Sequence, residues 1–368
     1  MICTIFTATY HHGVRLAYVC YWFLLENDGV AYKIDAQVDR WRTEGHHAEV
    51  FCLTRRGASR RGWRTIEFDG GVGRALAMRR LVHDVDEWSP DAVYLRYDFF
   101  GPPVPRLLRS RASVVEINAD DRREARLRAR RPLLARAFNE LNREALFRSA
   151  RGLACVTHEL AAAPHVTRFG KPTVVVGNGV DLSQVSEVPA PGTGGDLRAV
   201  FLGSSGQRWH GVDKIAQLAQ RLPDVQFDVI GYRPQAVNFP VHGNMNVHPP
   251  LSRQEYEPLL ARADVAIGTL ALHRKQMTEA CPLKVREYLA HGLPTVIAYD
   301  DTDFLDVSPW FLLKLPNEES NVVENVDAIR SFMEGVRGRR VARAEVAERI
   351  GSQEKERRRL AFIAGLTR

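Results

Sequence analysis

Short runs rich in apolar, β-branched and aromatic residues alternate along the chain with longer stretches whose apolar positions recur at helical spacing. That alternation predicts parallel strands joined by crossover helices, an α/β fold. In the first half the strands fall at 15–22, 48–53, 92–96, 113–117, 152–156 and 173–176, with a helix over 31–44 between the first two. Residues 188–195 read Val-Pro-Ala-Pro-Gly-Thr-Gly-Gly, which sustains neither helix nor central strand and predicts a linker. A second series of strands follows at 198–202, 226–230, 264–268, 295–298 and 311–315. Beyond 322 the pattern turns helical and charged, with Ile329, Phe332, Met333 and Val336 at helical spacing. The two halves repeat one architecture without repeating sequence.

A length of 368 residues suits two domains with a cleft. The expected division is an N-terminal domain over 1–183, a C-terminal domain over 184–345, and a helical tail over 346–368 that packs back on the first domain. With 45% hydrophobic and 26% charged residues, each half has the material for a core, and global disorder is excluded. Cys3, Cys20, Cys52, Cys155 and Cys281 are scattered without a close pair, which argues against a disulfide framework and a zinc site and for a reducing, cytoplasmic compartment. The apolar stretch 16–25 leads into Glu26 and Asp28 with no small-residue cleavage site, so it reads as a buried first strand rather than a signal peptide. No segment has the roughly 18 consecutive apolar residues of a membrane span.

The net charge of +7 is uneven: residues 1–183 hold 28 Lys+Arg against 21 Asp+Glu, and the remainder hold 23 of each. Arg122, Arg123, Arg126, Arg128, Arg130 and Arg131 form the densest run, with Glu124 the one acid within it. This helix-compatible stretch suits either solvent or the head groups of an anionic membrane surface. Nothing forms the aromatic-rich basic platform of a nucleic-acid binder.

The strongest chemical feature is Glu279-Ala280-Cys281-Pro282-Leu283-Lys284-Val285-Arg286-Glu287, continuing through His291-Gly292-Leu293-Pro294. Pro282 suits the first turn of a helix whose free N–H groups and positive dipole end favour an anion. Glu279 then stays in the loop ahead of the helix, Glu287 falls one to two turns into it, and Gly292 and Pro294 end it. Two acids so spaced reach different ends of one elongated ligand.

This run resembles the retaining GT-B glycosyltransferases of family four, also called glycosyl transferases group 1. Their hallmark is a glutamate pair with seven residues between, ahead of a Gly-x-Pro turn. Asn178-Gly179-Val180-Asp181 is similar to the family's turn joining two domains, and Asp28-Gly29-Val30 to its first glycine loop, whose backbone N–H groups approach donor phosphate or acceptor. The resemblance implies two Rossmann-like domains facing across a cleft. It also implies transfer of a sugar from a nucleoside diphosphate sugar to an acceptor hydroxyl with retention of configuration, assisted by the leaving diphosphate. By resemblance Glu279 contacts the donor sugar and Glu287 the ribose hydroxyls. A metal is not expected, nor any cofactor beyond the nucleotide-sugar co-substrate. The acceptor is a sugar or a lipid-linked molecule, and the setting cell-surface polysaccharide or glycolipid synthesis, with the protein cytoplasmic or peripheral on the inner face of the membrane.

The chain departs from the family where an arginine and a lysine usually meet the diphosphate: Ser204 follows Gly203, and His210 precedes Gly211. Arg208 and Lys284 are the candidates to replace that charge. Gly203, Ser204, Arg208, Pro282, Leu283, Lys284 and Glu287 therefore make up the donor-binding set. In the first half, Arg96, Glu116 and Asn118 lie at carboxyl ends of predicted strands, where open α/β sheets bind ligands. Arg96, Glu116, Gly29 and His158 are acceptor-side candidates, and Asn118 joins Glu279 as a catalytic one. Two rival readings stand beside this one, a nucleotide-sugar epimerase of the same fold and a catalytically silent scaffold in a polysaccharide assembly complex. An NAD-dependent oxidoreductase is disfavoured, because Gly70-Gly71-Val72-Gly73 lacks the third glycine of the dinucleotide fingerprint.

Overall fold

The computed structural model describes residues 13–24, 28–98, 100–127 and 133–367. The chain forms two compact units, one running to Gly177 and resuming at Ser352, the other spanning Asn178–Gly351.

The first unit holds β1 (Arg15–Tyr21), β2 (His47–Arg55), β3 (Trp63–Phe68), β4 (Ala92–Arg96), β5 (Ala112–Ile117), β6 (Gly152–Cys155) and β7 (Thr173–Val175). They form one parallel sheet ordered β3-β2-β1-β4-β5-β6-β7. Its helices are α1 (Gly29–Thr43), α2 (Gly70–Trp88), α3 (Pro103–Arg109), α4 (Asp121–Leu127), α5 (Leu133–Ser149), α6 (His158–Ala162) and α7 (Pro164–Thr167). The second unit holds β8 (Leu197–Leu202), β9 (Val225–Ile230), β10 (Met245–His248), β11 (Val265–Ile267), β13 (Thr295–Ile297) and β15 (Leu312–Lys314) in a parallel sheet ordered β10-β9-β8-β11-β13-β15. A separate two-stranded ladder pairs β12 (Glu279–Ala280) with β14 (Asp300–Asp301). Its helices are α8 (Val212–Arg221), α9 (Arg253–Arg262), α10 (Leu283–Ala290), α11 (Val326–Val336) and α12 (Arg343–Ile350), and α13 (Ser352–Leu366) belongs to the first unit.

Both sheets share the strand order of the Rossmann fold, reversing direction beside β1 and β8. The strands flanking each reversal are largely buried on both faces, hence their apolar runs, broken in β8 by Arg198 alone: β1 and β4 in the first core, β8 and β11 in the second. The expected strands are present, most of them displaced by a residue or two at their ends. Three elements escape the hydrophobic pattern. The edge strand β3 intersperses Arg64 and Glu67 between buried Trp63 and Ile66, the edge strand β10 is short and polar, and the β12–β14 ladder spans two residues per strand.

The units divide at Gly177/Asn178 and Gly351/Ser352, not in the proline- and glycine-rich stretch 188–195 or at 183/184 and 345/346. Residues 188–195 are a surface loop of the second unit, where Gly195 accepts a hydrogen bond from Arg337 and the Gly338 backbone packs against Thr193. Helix α12 ends at Gly351, where Val180 N–H donates to the Ile350 carbonyl at 2.9 Å. Helix α13 then inserts Leu360 and Ile363 into the first core. Its Glu356 accepts from Trp41 Nε1 at 2.9 Å, and Arg359 donates to Tyr94 Oη at 3.2 Å and to the carbonyls of Val176 and Gly177. This close approach requires Gly152, since a Cβ there would lie 2.7 Å from both Phe362 and Leu366.

Candidate functional site

The site is built at the carboxyl ends of β8 and β9 and around the start of α10. Strand β8 ends where Leu202 N–H donates to Tyr288 Oη of α10 at 2.5 Å, which ties the strand tip to the helix. Gly203 follows with its N–H on the Ile230 carbonyl at 2.9 Å. Gly231 crosses it with φ +101, and a Cβ on Gly231 would fall 1.9 Å from the Gly203 oxygen, so neither a side chain nor a right-handed backbone is tolerated there. Ser204 is exposed beyond it. The turn Arg208–His210 is held by bonds from Ala271 N–H to the Trp209 carbonyl and from Leu270 N–H to the His210 carbonyl.

Lys284 is the unusual group here. Its ammonium lies 4.1 Å from the centre of the Phe201 ring, enclosed, with no hydrogen-bond acceptor among the described residues. Burial holds its amine well below the ordinary lysine range. His210 stacks edge-on against Phe201, and burial, reinforced by the charges of Lys284 and Lys275, holds it well below the usual histidine range. The His210 imidazole is thereby held in its neutral form. Lys275, which no motif marks, lies 4.5 Å above the Trp209 ring. Arg208 is exposed, and its carbonyl accepts from Arg274 at 3.0 Å.

Helix α10 starts after Pro282, which is the N-cap residue rather than a member of the first turn, and no side chain caps it. The N–H groups at Leu283 and Lys284 are therefore the orphan donors of a helix start, the end of a helix that favours an anion. Glu279 lies in β12 rather than in a loop, buried, with the ladder to Asp300 setting its backbone. The ladder is fixed to α10 by Arg286, fully buried, which pairs with Asp301 and with Asp303 at 2.5 Å. Cys281 turns inward, accepting from Asn178 N–H at 3.1 Å.

Glu287 has three partners from the protein itself, two on one carboxylate oxygen and one on the other. A capping box of Ser252 and Glu255 opens α9, so that Arg253 and Tyr256, almost one turn apart, both reach the same carboxylate. Arg253 donates to Oε2 at 2.9 Å and Tyr256 to Oε1 at 3.0 Å, with His291 Nε2 at 3.3 Å from Oε1. Burial alone would raise the Glu287 pKa, but the His291 hydrogen bond, the Arg253 charge and the Tyr256 hydroxyl outweigh it and hold the group below the usual carboxylate range. Glu287 is thus kept ionised and aimed. Only its one acid was visible in the motif.

In the first unit Arg96, Glu116 and Asn118 do meet, around a residue that no motif marks. Lys33 of α1 donates to Glu116 at 2.7 Å and to Asn118 Oδ1 at 3.3 Å. Arg96 lies 3.3 Å from Glu116, Asn118 Nδ2 donates to it at 2.9 Å, and Tyr18 Oη at 3.3 Å. Burial opposes the charge on Glu116, but Lys33, Arg96 and Arg359 together hold its pKa far below the usual carboxylate range, while burial pushes Lys33 down to about 8 against the pull of Glu116. Glu116 is therefore the buried hub of an ionic network, and Asn118 and Arg96 are its half-buried outer members. Gly29, the candidate of the first glycine loop, stands where the chain enters α1. The Asp28 carboxylate already accepts from Val30 and Ala31 N–H at 2.8 and 3.4 Å. His158 is exposed at the start of α6.

Among the described residues no group of three or more His, Cys, Asp or Glu side chains is placed to hold a metal ion. Nor, among them, is any helix long and apolar enough to cross a membrane.

The two Rossmann-like units define a GT-B fold, the architecture of a large class of glycosyltransferases. No family model matches the sequence, and no curated protein matches it. Solved structures do. Sucrose-phosphate synthase from Thermosynechococcus elongatus is similar with a TM-score of 0.63 at 11% identity, over 96% of each chain. A glycosyltransferase from Rickettsia africae is similar at 0.61 and 11%, over 97% of this chain and 99% of that one. HepE from Anabaena, solved with UDP and glucose, is similar at 0.63 and 12%, over 96% of this chain and 100% of that one. At such identities the likeness establishes the fold.

Proposed function

We propose that the protein is a glycosyltransferase that moves a sugar from a nucleoside diphosphate sugar, held by the second unit, to an acceptor hydroxyl with retention of configuration. The observation that carries the reading is the enclosed, acceptorless ammonium of Lys284 in the uncapped first turn of α10, with Glu279 before that helix in the chain and the ionised Glu287 within it. A buried cation at a helix start favours an anion, and a diphosphate is one. In this reading Lys284 and the first-turn N–H groups stabilise the departing diphosphate, with Gly203 and Ser204 allowing its close approach. Glu287 accepts from the ribose hydroxyls, Glu279 orients the donor sugar, and Arg96 and Asn118 serve the acceptor. The reaction suits assembly of cell-surface polysaccharide or glycolipid.

Thermal shift against UDP-, GDP-, ADP- and dTDP-sugars tests the reading. A donor at a hundred times its dissociation constant stabilises by about 2.7 kcal/mol, and a chain that none of them stabilises is not this enzyme. Turnover of donor without any acceptor would instead indicate an epimerase.

Glu287→Gln is expected to weaken nucleotide and nucleotide sugar alike by roughly tenfold or more, the worth of one charge-assisted bond. Unchanged nucleotide affinity, read by calorimetry, would remove Glu287 from the ribose site. Lys284 adds a pH signature. Burial lowers its pKa in the free protein and diphosphate oxygens raise it, so nucleotide binding takes up a proton, and affinity falls as pH rises between the free and bound values. Calorimetry in two buffers of different ionisation enthalpy reads that proton. In Lys284→Met it should vanish, with UDP bound about tenfold more weakly and uridine unaffected. If the proton persists in Lys284→Met, the ammonium does not meet the diphosphate.

A further inference from the structure

Helix α2 packs through a narrow stripe of Ala77, Met78, Leu81 and Val85. Its opposite face begins with Val72 and Leu76, which are 80% and 54% exposed and stand one turn apart. Arg79 and Arg80, both exposed, continue the same stripe one turn further on. The charges of the helix are segregated. Residues 70–82 contain Arg74, Arg79 and Arg80 and no acid, whereas Asp84, Asp86 and Glu87 fall in the last turns, where Asp86 pairs with Arg111 at 2.7 Å.

The apolar and basic surface extends beyond the helix. Arg74 lies over the Tyr21 ring at 4.5 Å, Tyr21 meets Phe23 at 5.2 Å and Phe68 at 5.8 Å, and Arg55 lies over Phe23 at 4.6 Å. Phe23 is itself 41% exposed. Among the described residues, Asp69 at this rim lies 3.4 Å from Arg56, Glu67 accepts from Gly57 N–H, and Asp98 lies close enough to act on Tyr21.

We propose that the first half of α2, with the adjoining rim of β1–β3, docks the protein on an anionic lipid bilayer. Val72, Leu76 and Phe23 enter the acyl boundary while the arginines, whose stems lie along apolar surface, meet lipid phosphates. The acidic last turns of α2 tilt away from that surface. Nucleic acid would leave the apolar side chains exposed, and a stable protein partner needs about 800 Å² per side, more than these few side chains offer. The arginine run at 122–131 is less suited to the same task. Arg122 is held by Glu140 at 3.0 Å, and Arg123 by Glu159 at 2.5 Å and Asp120 at 3.1 Å. The Arg126 side chain and Arg128, Arg130 and Arg131 lie outside the described residues. The inference does not rest on the donor site.

Co-sedimentation with phosphatidylcholine vesicles containing about a quarter phosphatidylglycerol tests it, at low salt and in about 0.5 M salt, where the Debye length falls well below its low-salt value. Wild type should pellet at low salt, be released by salt, and stay in solution with pure phosphatidylcholine. Val72→Glu with Leu76→Glu should abolish pelleting, and Arg79→Glu with Arg80→Glu should weaken it at least about tenfold. All four side chains are exposed, so thermal midpoints and nucleotide-induced shifts should stay at wild-type values. Wild type remaining in the supernatant at low salt, equal pelleting with neutral vesicles, or α2 variants that pellet like wild type would each overturn the proposal. Loss of pelleting only on charge reversal at Arg126, Arg128 and Arg130 would overturn it in favour of that segment.

Discussion

Arg286→Ala is expected to lower the unfolding free energy of the second unit by about 3 to 5 kcal/mol, the cost of leaving a buried carboxylate without its cation. Arg286 and Asp301 are both fully buried, and Asp303 nearly so. Burial alone would lower the arginine's pKa, but Asp301, Asp303 and Cys281 drive it up instead, so the three groups form one charged unit. Because Asp301 is also half of the β12–β14 ladder, the loss would reach Glu279. Urea unfolding of the ligand-free protein measures the effect. A loss under about 1 kcal/mol would mean that the two aspartates find water in the variant. Turnover should drop together with stability, whereas the exposed Arg208→Ala should leave stability unchanged.

Glu279→Ala should reduce turnover about a hundredfold and leave affinity for sugar-free nucleotide within about twofold, since a contact that tightens on the reacting sugar acts on the transition state and not on the ribose or the diphosphate. Glu279→Gln keeps the volume of this buried side chain and separates the chemical effect from a cavity. If both variants lose nucleotide affinity as much as turnover, Glu279 belongs to the nucleotide and not to the sugar. Paired with Glu287→Gln, which should weaken nucleotide binding, the comparison assigns the two acids to opposite ends of one ligand.

Local pattern carried most of the fold. A strand buried on both faces, such as β1, β4, β8 or β11, must be an apolar run whatever surrounds it, so its position is written in its own residues. The acids at 279 and 287 and the helix start between them were legible from a different local signal, the run from Glu279 through Pro282 to Gly292 and Pro294. The edge strands β3 and β10 failed that test, because they are covered on less of their surface and tolerate charge, whereas the edge strands β7 and β15 were legible.

The tertiary structure decided everything that depends on partners distant in sequence. Lys33 is 83 positions from the Glu116 that it neutralises, and Arg253 is 34 from Glu287. No periodicity links such pairs, since the crossover connections of a parallel sheet bring their residues together only once the sheet has formed. The same holds for Arg286 with Asp301, and for Lys284, a diphosphate candidate in the sequence whose enclosure beside Phe201 of β8 only the fold brings about. The division of the chain was likewise hidden. Proline and glycine mark where backbone cannot be regular, which identified the loop at 188–195, whereas the boundary between units depends on which core each segment buries its side chains in. Helix α13 settles that by packing Leu360 and Ile363 into the first core after the chain has completed the second.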